Sequence, residues 1–375
     1  MNKSNAKKQV AILVTNDLMT DRRINRVASF LKNNDFEVTL IGRQLEKTYP
    51  EKQYKEIIIK RFRLLFNKGP LFYFCYNLRA WLHLLRNRYD VVVSNDLDTL
   101  PAAYFSKRKT QRLVYDSHEL FTEVPELIHR KHTQAIWTRI EQAILPKLKY
   151  CYTVSQPIAD YYKKKYGVSF QVIRNLPRIT TYKNTSSNGK LKKIANGKKI
   201  ILYQGALNIG RGIEQIIGAM PLLKDNFIFT ILGGGDIEAT LKEQVRQFNL
   251  TESVFFLGRI PADDLPAYTV QADIGISLEQ KGFGLSYEYA LPNKLFDYIH
   301  AQIPVLVSSL PEMKKIVEQY EVGRVIDDHS PENIAMTIRE MISEEKQIVW
   351  KQNEKEATTQ LNWEKEQEKL YSFYS

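Results

Sequence analysis

Two positively charged residues in the second half of the chain sit on separate turns, each close behind or ahead of an apolar run. Lys294 lies in Pro292-Asn293-Lys294-Leu295-Phe296-Asp297-Tyr298-Ile299, shortly before Ile303-Pro304-Val305. Arg211 lies in Gln204-Gly205-Ala206-Leu207-Asn208-Ile209-Gly210-Arg211-Gly212. A helix start leaves backbone N–H groups unpaired and pointing outward, so anions collect there. The spacing predicts that the Lys294 segment opens a helix, which puts an ammonium beside those N–H groups to neutralise phosphate. Asp297, three residues on, offers a carboxylate to ribose hydroxyls. Arginine presents a planar fork matched to phosphate oxygens, and flanking glycines let the backbone come close. Together the two turns predict a nucleoside-diphosphate site. Taken singly, each also reads as an exposed arginine in a turn or a capped helix with surface charge.

Other loops fall at equivalent places. Gly233-Gly234-Gly235 follows the next apolar run and reads as a tight turn or as a point of close ligand approach. Gly258-Arg259-Ile260-Pro261 follows the third, where an arginine and open backbone could meet a nucleobase. In the first half, Asp116-Ser117-His118-Glu119 ends a strand, where an imidazole can bond a sugar hydroxyl or a leaving-group oxygen, or be structural. Asn95-Asp96-Leu97-Asp98 is a similar polar cluster, with helix capping as its alternative. Thr15-Asn16-Asp17 and Asp21-Arg22-Arg23 fill the loop after the opening strand, so the G-x-G-x-x-G dinucleotide fingerprint is absent. That argues against a dehydrogenase. His83, His129, His132, His300 and His329 form no metal set at recognised spacing. No G-x-S-x-G or Walker motif occurs, and the hydrolase and ATPase readings fall.

The elements that must hold these loops follow from periodicity. Short buried runs are expected as strands at Val10-Val14, Val38-Ile41, Val91-Val93, Leu113-Tyr115, Tyr152-Val154 and Val172-Ile173. The rhythm repeats at Ile200-Tyr203, Phe227-Leu232, Val254-Leu257, Ile274-Ser277, Val305-Val307 and Arg324-Ile326. Amphipathic segments between them, such as Ile24 to Leu31, Ile213 to Leu222 and Lys294 to His300, give the β-α-β alternation of parallel sheets covered on both faces. The fold class is thus α/β, with two doubly wound domains whose strand ends face a central cleft where ligands bind. The first domain is expected over 1–179, a Thr/Asn/Ser/Lys-rich linker over 180–199 and the second domain over 200–349. A helical tail over 350–375 is expected to pack back on the first domain, anchored by Trp363, Leu370, Tyr371 and Phe373.

At 375 residues the chain has room for two full cores. Cys75 and Cys151 lie among apolar neighbours and are expected as reduced thiols. The run Val10 to Val14 is too short for a signal-peptide core, and nothing approaches the ~20 apolar residues of a membrane span. A cytoplasmic protein is expected, peripheral on the inner face of the membrane.

Charge supplies the reason for that last expectation. Residues 1–178 hold 32 Lys+Arg against 16 Asp+Glu, whereas residues 179–375 hold 22 against 26. The first half alone therefore calls for an anionic partner. Between Glu56 and Asp90 there is no acidic residue. Lys60, Arg61, Arg63, Lys68, Arg79, Arg86 and Arg88 alternate with Phe62, Phe66, Phe72, Tyr73, Phe74, Tyr76 and Trp81. Residues 71–88 read as a helix suited to a membrane interface, and residues 57–89 as the attachment surface; a core helix with a solvated basic face is the alternative. Nucleic acid is not expected, since no binding motif supports it.

In this order the loops resemble the GT-B glycosyltransferases, especially the family 4-like retaining enzymes of bacterial polysaccharide and glycolipid assembly. Asp21-Arg22-Arg23-Ile24, Asp96-Leu97-Asp98-Thr99-Leu100 and Tyr115-Asp116-Ser117-His118-Glu119-Leu120-Phe121 look like the acceptor domain. Gln204-Gly205, Gly210-Arg211-Gly212-Ile213-Glu214, Leu232-Gly233-Gly234-Gly235 and Pro292-Asn293-Lys294 look like the donor domain. The resemblance implies a GT-B fold of two Rossmann-like domains, with His118, Arg211 and Lys294 as catalytic residues. It implies donor contacts at Gly205, Gly210, Gly234, Arg259, Ile260, Asn293, Leu295, Asp297 and Glu288. Asp17, Arg22, Asp96 and Glu119 fall on the acceptor side. Arg211 and Lys294 would hold the diphosphate, Asp297 the ribose, the backbone around Arg259 and Ile260 the base, and His118 the transferred sugar. No metal or other cofactor is implied.

The expected activity is hexosyl transfer from a nucleotide-diphosphate sugar to a lipid-linked or glycan acceptor, with retention. The family's paired glutamates, seven residues apart, are not kept here. Asp297 takes the second place, Tyr289 the first with Glu288 beside it, and Gln302 stands for a glycine. A GT-B-shaped nucleotide-sugar epimerase and a non-catalytic partner subunit are the alternatives.

Overall fold

The structure, a computed structural model, describes residues 7–16, 18, 21–45, 57–179 and 189–375. The chain divides into two compact units, Met1–Arg174 with Glu366–Ser375, and Asn175–Lys365.

In the first unit the apolar runs become a parallel sheet of β1 (Gln9–Leu13), β2 (Glu37–Arg43), β3 (Ile57–Phe62), β4 (Val91–Asn95), β5 (Arg112–Ser117), β6 (Tyr150–Thr153) and β7 (Gln171–Val172). Their order is β3-β2-β1-β4-β5-β6-β7, with Ile12 of β1 opposite Leu40 of β2 and Val93 of β4. Both faces of the inner strands are covered, which is why these strands are continuous apolar runs rather than alternating ones. Strand β3 was not among the expected strands. It lies at the sheet edge with Ile58 51% exposed, and Lys60 and Arg61 interrupt its apolar character. The helix Arg22–Asn33 starts where the Asp21 carboxylate accepts the N–H groups of Arg23 and Ile24, each at 3.1 Å, an N-cap. Its buried stripe of Ile24, Val27, Ala28 and Leu31 faces the core.

The second unit repeats the plan with β8 (Lys199–Gln204), β9 (Phe227–Leu232), β10 (Val254–Gly258), β11 (Ile274–Ser277), β12 (Val305–Ser308) and β13 (Gly323–Ile326). The order is β10-β9-β8-β11-β12-β13, again parallel. The helix Asn293–His300 lies close upon this sheet because Gly275 of β11 has no side chain. A Cβ there would stand 2.4 Å from Cγ of Tyr298. The Tyr298 hydroxyl donates to the Leu202 carbonyl and accepts the Gln204 N–H, both at 3.1 Å, tying that helix to the end of β8.

Two expected boundaries differ from the structure. Of the linker over 180–199, residues 180–188 lie outside the described residues, while Lys190–Ala195 is a helix that buries Leu191 and Ala195. The tail is not one returning helix. Glu344–Thr358 belongs to the second unit, where it buries Trp350 and Ala357. Asn362 then accepts the Lys365 N–H at 3.0 Å and starts a new short helix, Trp363–Glu366, which breaks the continuity. Trp363 is fully buried and its backbone N–H donates to the Pro177 carbonyl at 2.8 Å, so it anchors the second unit. Only Glu366–Ser375 joins the first unit. There Leu370 and Phe373 are buried as expected, whereas Tyr371 is exposed and Tyr374 is the anchor. Its hydroxyl meets that of Tyr152 at 2.9 Å. Both cysteines are free thiols.

Candidate functional site

In the second unit the strand order reverses between β8 and β11, and open parallel sheets take ligands beyond the carboxyl ends of such a strand pair. Arg211 comes from the loop after β8. Lys294 opens the helix Asn293–His300 after β11. Both reach one atom, Oε1 of Glu279: Lys294 Nζ is 2.8 Å away and Arg211 Nη1 is 3.5 Å away. Glu279 is 0% exposed, Lys294 7% and Arg211 24%. The Ser277 hydroxyl donates to the other Glu279 oxygen at 2.7 Å. Two cations against one carboxylate leave a net positive charge. Arg211 stacks over Tyr287 at 4.2 Å and Lys294 over Tyr203 at 4.1 Å. Arg211 Nε is buried with no hydrogen-bond partner, a costly state that an incoming anion would relieve.

Glycine fixes this convergence. Gly212 has φ +77°, and a Cβ on it would lie 2.1 Å from the Leu278 carbonyl oxygen. The Arg211 loop is therefore pressed directly against the segment that carries Glu279. Gly210, also at φ +77°, faces the Phe283 ring, where a Cβ would stand 2.7 Å from Cγ. Burial pushes the Lys294 ammonium below the usual lysine range; Glu279 pulls it back up and Arg211 opposes that pull. For Glu279 burial acts upward, but Lys294 and Arg211 outweigh it and hold the carboxyl below its ordinary range.

The remaining donor-side residues fall around this centre to different degrees. Asp297 accepts from Gln204 Nε2 at 2.9 Å, and Gln204 in turn accepts from Thr269 at 2.8 Å. Gly205 is exposed at the end of β8, and Asn293 is exposed at the helix start. A Cβ on Gly234 would stand 3.1 Å from Arg259 Nε, so exposed Arg259 lies over the triple-glycine turn. Ile260 is half-buried against the apolar cluster of Leu295 and Phe296. Leu295 is a correction: its side chain is fully buried in that cluster and its N–H donates to the Pro292 carbonyl at 3.1 Å, leaving nothing for a ligand. Glu288 accepts the Gly282 N–H at 3.3 Å within its own loop. Glu279 is the residue that sequence reasoning missed. Its signal was a carboxylate two residues past the buried strand Ile274–Ser277.

In the first unit β1 and β4 flank the corresponding reversal, and a buried charge cluster gathers at their ends. Arg23, 2% exposed, bonds Asp116 through Nε at 2.9 and 3.1 Å and through Nη2 at 2.8 Å, and donates to the Ile173 carbonyl at 2.9 Å. The expected acceptor-side arginine was Arg22. The helix turns that residue half outward and sends Arg23 into the cluster instead.

His118 Nε2 lies 3.1 Å from Asp116 and Nδ1 lies 3.4 Å from Asp96, while the His118 N–H donates to Asp96 at 2.7 Å. Burial acts to lower the imidazole, but Asp116 and then Asp96 outweigh it and lift it to about 9. Burial alone would raise Asp116; Arg23 and His118 hold it at about 2. Asp98, beside the Thr15 hydroxyl at 2.5 Å, is pushed up to about 7 by burial and by Asp96. Asp96 is itself raised, by burial first. Glu119 is exposed at the rim. Asp17 lies outside the described residues. His118 is thus an imidazolium whose two ring nitrogens both face carboxylates of its own unit. Among the described residues no group of His, Cys, Asp and Glu is arranged to hold a metal ion.

Residues 20–178 match the family model of Glycosyltransferase Family 4, and residues 187–357 that of Glycosyl transferases group 1. The chain belongs to the family 4-like glycosyltransferases of GT-B fold, a class of transferase enzymes. It is similar to the sucrose-phosphate synthase of Thermosynechococcus elongatus, with a TM-score of 0.79 at 15% identity over 98% of each chain. It is also similar to HepE of Anabaena in complex with UDP and glucose, with a TM-score of 0.76 at 15% identity over 97% of this chain and 98% of that one. These two likenesses establish the fold.

Among sequence relatives, a GDP-mannose-dependent α-(1-6)-phosphatidylinositol monomannoside mannosyltransferase of Mycobacterium tuberculosis is 24% identical over 35% of each chain. The chain spans less than half the length of the curated relatives it matches.

Proposed function

We propose that the protein transfers a hexose from a nucleoside-diphosphate sugar to a lipid-linked or glycan acceptor, with retention at the anomeric carbon and without a metal ion. The observation that carries this reading is the meeting of Arg211 and Lys294 at one buried point beyond β8 and β11. Two fixed cations aimed at a departing diphosphate stabilise the charge that develops as the glycosidic bond breaks, which is where catalysis of this step gains most. Asp297, held by Gln204, takes the ribose, and the backbone at Arg259 and Ile260 takes the base. Asp96, Glu119 and the His118 imidazolium serve the sugar and acceptor side. As a cation His118 donates hydrogen bonds and does not accept a proton, so it is not the general base. HepE holds UDP and glucose, and the mycobacterial relative acts on a phosphatidylinositol glycoside; both fit the proposed substrate classes.

The acceptor's lipid side has its own support. In the helix Gly69–Arg86, Phe72, Tyr76, Ala80 and Leu84 are buried, so one face is core. Leu71, Phe74, Leu78 and Leu85 form the other face and are exposed, as are Leu65 and Phe66 before it. Arg63, Lys68, Arg79, Arg86 and Arg88 are exposed around them. An apolar stripe rimmed by arginine and lysine suits an anionic bilayer surface, and we assign attachment to residues 57–89. No helix among the described residues is long and apolar enough to cross a membrane.

A thermal-shift screen against nucleoside diphosphates and their sugars tests the central claim, because a ligand of the native state raises the unfolding temperature. One nucleotide series raising it is the expected result. No shift with any nucleoside diphosphate would overturn the proposal.

A further inference from the structure

Glu279 is the most buried charge of the second unit's site. We propose that Glu279 is a positioning residue for the donor: its carboxylate holds the Lys294 ammonium and the Arg211 guanidinium together, both charged, and leaves Arg211 Nε and the remaining Lys294 N–H donors for the diphosphate. The inference rests on the nucleoside-diphosphate reading above and adds to it a residue that touches no substrate.

Three segments meet at this carboxylate. It follows β11, Arg211 follows β8, and Lys294 begins the helix Asn293–His300. An ionised carboxylate that is 0% exposed is stable only when paired and hydrogen-bonded. Ser277 holds one oxygen and the two cations share the other. Without that negative charge, two like charges would face each other in a largely buried site. Arginine stays protonated in proteins, so lysine is the partner that would yield its proton. The groups that face Lys294 are Glu279, Arg211 and the ring of Tyr203; burial keeps the Tyr203 phenol protonated, and Asp297 on the same helix is engaged with Gln204. Burial and Arg211 lower the Lys294 ammonium and Glu279 alone raises it. Removing the carboxylate leaves only the lowering influences.

The test compares the full-length wild type, Glu279→Gln, and Glu279→Gln combined with Lys294→Arg. Calorimetry measures UDP and GDP binding at about pH 7.5 and 9.5, where the diphosphate is fully ionised. NMR follows the Lys294 Cε resonance with pH, assigned through Lys294→Arg. In Glu279→Gln the lysine midpoint is expected to fall by about one pH unit or more. Affinity is expected to weaken about 10-fold more between the two pH values than in the wild type. Arginine at 294 is expected to abolish that extra pH dependence, which a merely structural role for Glu279 would not do.

An unchanged lysine midpoint in Glu279→Gln would overturn the proposal. So would tighter diphosphate binding by that variant at both pH values, which would make Glu279 a placeholder that the diphosphate displaces. A fallen midpoint in a protein whose wild type binds no nucleoside diphosphate would uphold the charge coupling and overturn the donor reading instead.

Discussion

Asp116 and Asp96 set the charge state of His118, and Asp96→Asn is the cleanest way to perturb it. Position 96 has φ +59°, a conformation that asparagine tolerates as readily as aspartate, and an asparagine oxygen can still accept the His118 N–H. The substitution therefore removes charge and little else. Asp116 at 3.1 Å and Asp96 at 3.4 Å attract the imidazolium comparably, since Coulomb energy falls only as the inverse of distance. For point charges at 3.4 Å and an effective dielectric constant near 20, the attraction is about 5 kcal/mol. The carboxylate charge is spread over two oxygens and the ring is 22% exposed, so roughly half of that survives. About 2–3 kcal/mol corresponds to roughly two pH units.

The His118 midpoint should then fall from about 9 toward ~7 in Asp96→Asn, read from the imidazole Cε1 proton by NMR titration. The sign for stability follows. A group raised on folding contributes stability that is complete below its unfolded value near 6.5 and is lost as pH rises through about 9. In the variant the loss should be finished about two pH units earlier. A wild-type midpoint near 6.5, or one that Asp96→Asn leaves in place, would refute the imidazolium and the role derived from it.

Arg211→Ala and Lys294→Ala should each cut the rate of nucleoside-diphosphate release with acceptor present by about 10²-fold or more, with far-UV circular dichroism unchanged. Arg23→Met strands the Asp116 carboxylate without its main partner and should cost about 3–5 kcal/mol in denaturant unfolding of the first unit. Because Asp116 is held at about 2, the stability that Arg23 supplies should persist above the usual carboxylate value and be lost as pH falls through about 2. Replacing exposed Phe66 and Phe74 together with serine should leave donor binding intact and weaken co-sedimentation with anionic vesicles by about 30-fold, at about 1 kcal/mol per partly inserted ring.

Periodicity made the two sheets legible because interior parallel strands are buried on both faces and read as uninterrupted apolar runs, as Val91-Val92-Val93 and Phe227 to Leu232 do. β3 escaped because an edge strand carries charge on its open side. The Arg211 and Lys294 turns could be read from glycine, proline and cation alone. Their common partner could not, since a carboxylate at 279 announces burial only once Gly212 is seen to lie against Leu278. The choice between Arg22 and Arg23 was likewise a matter of helix phase, set by where Asp21 caps the turn. The tail misled for a related reason: apolar spacing from 349 to 374 hides the break that Asn362 makes.

Residues 366–375 lie in the unit that the ribosome makes first. Until they emerge, Tyr152 lacks the Tyr374 hydroxyl and the edge of Phe373, and Phe36 lacks its Tyr374 neighbour. By then residues 175–365 have every partner of their own unit in hand. The first unit can therefore be sealed only after every residue of the second has been made. A chain halted near residue 365 would carry every residue of the second unit joined to a first unit still missing its last piece.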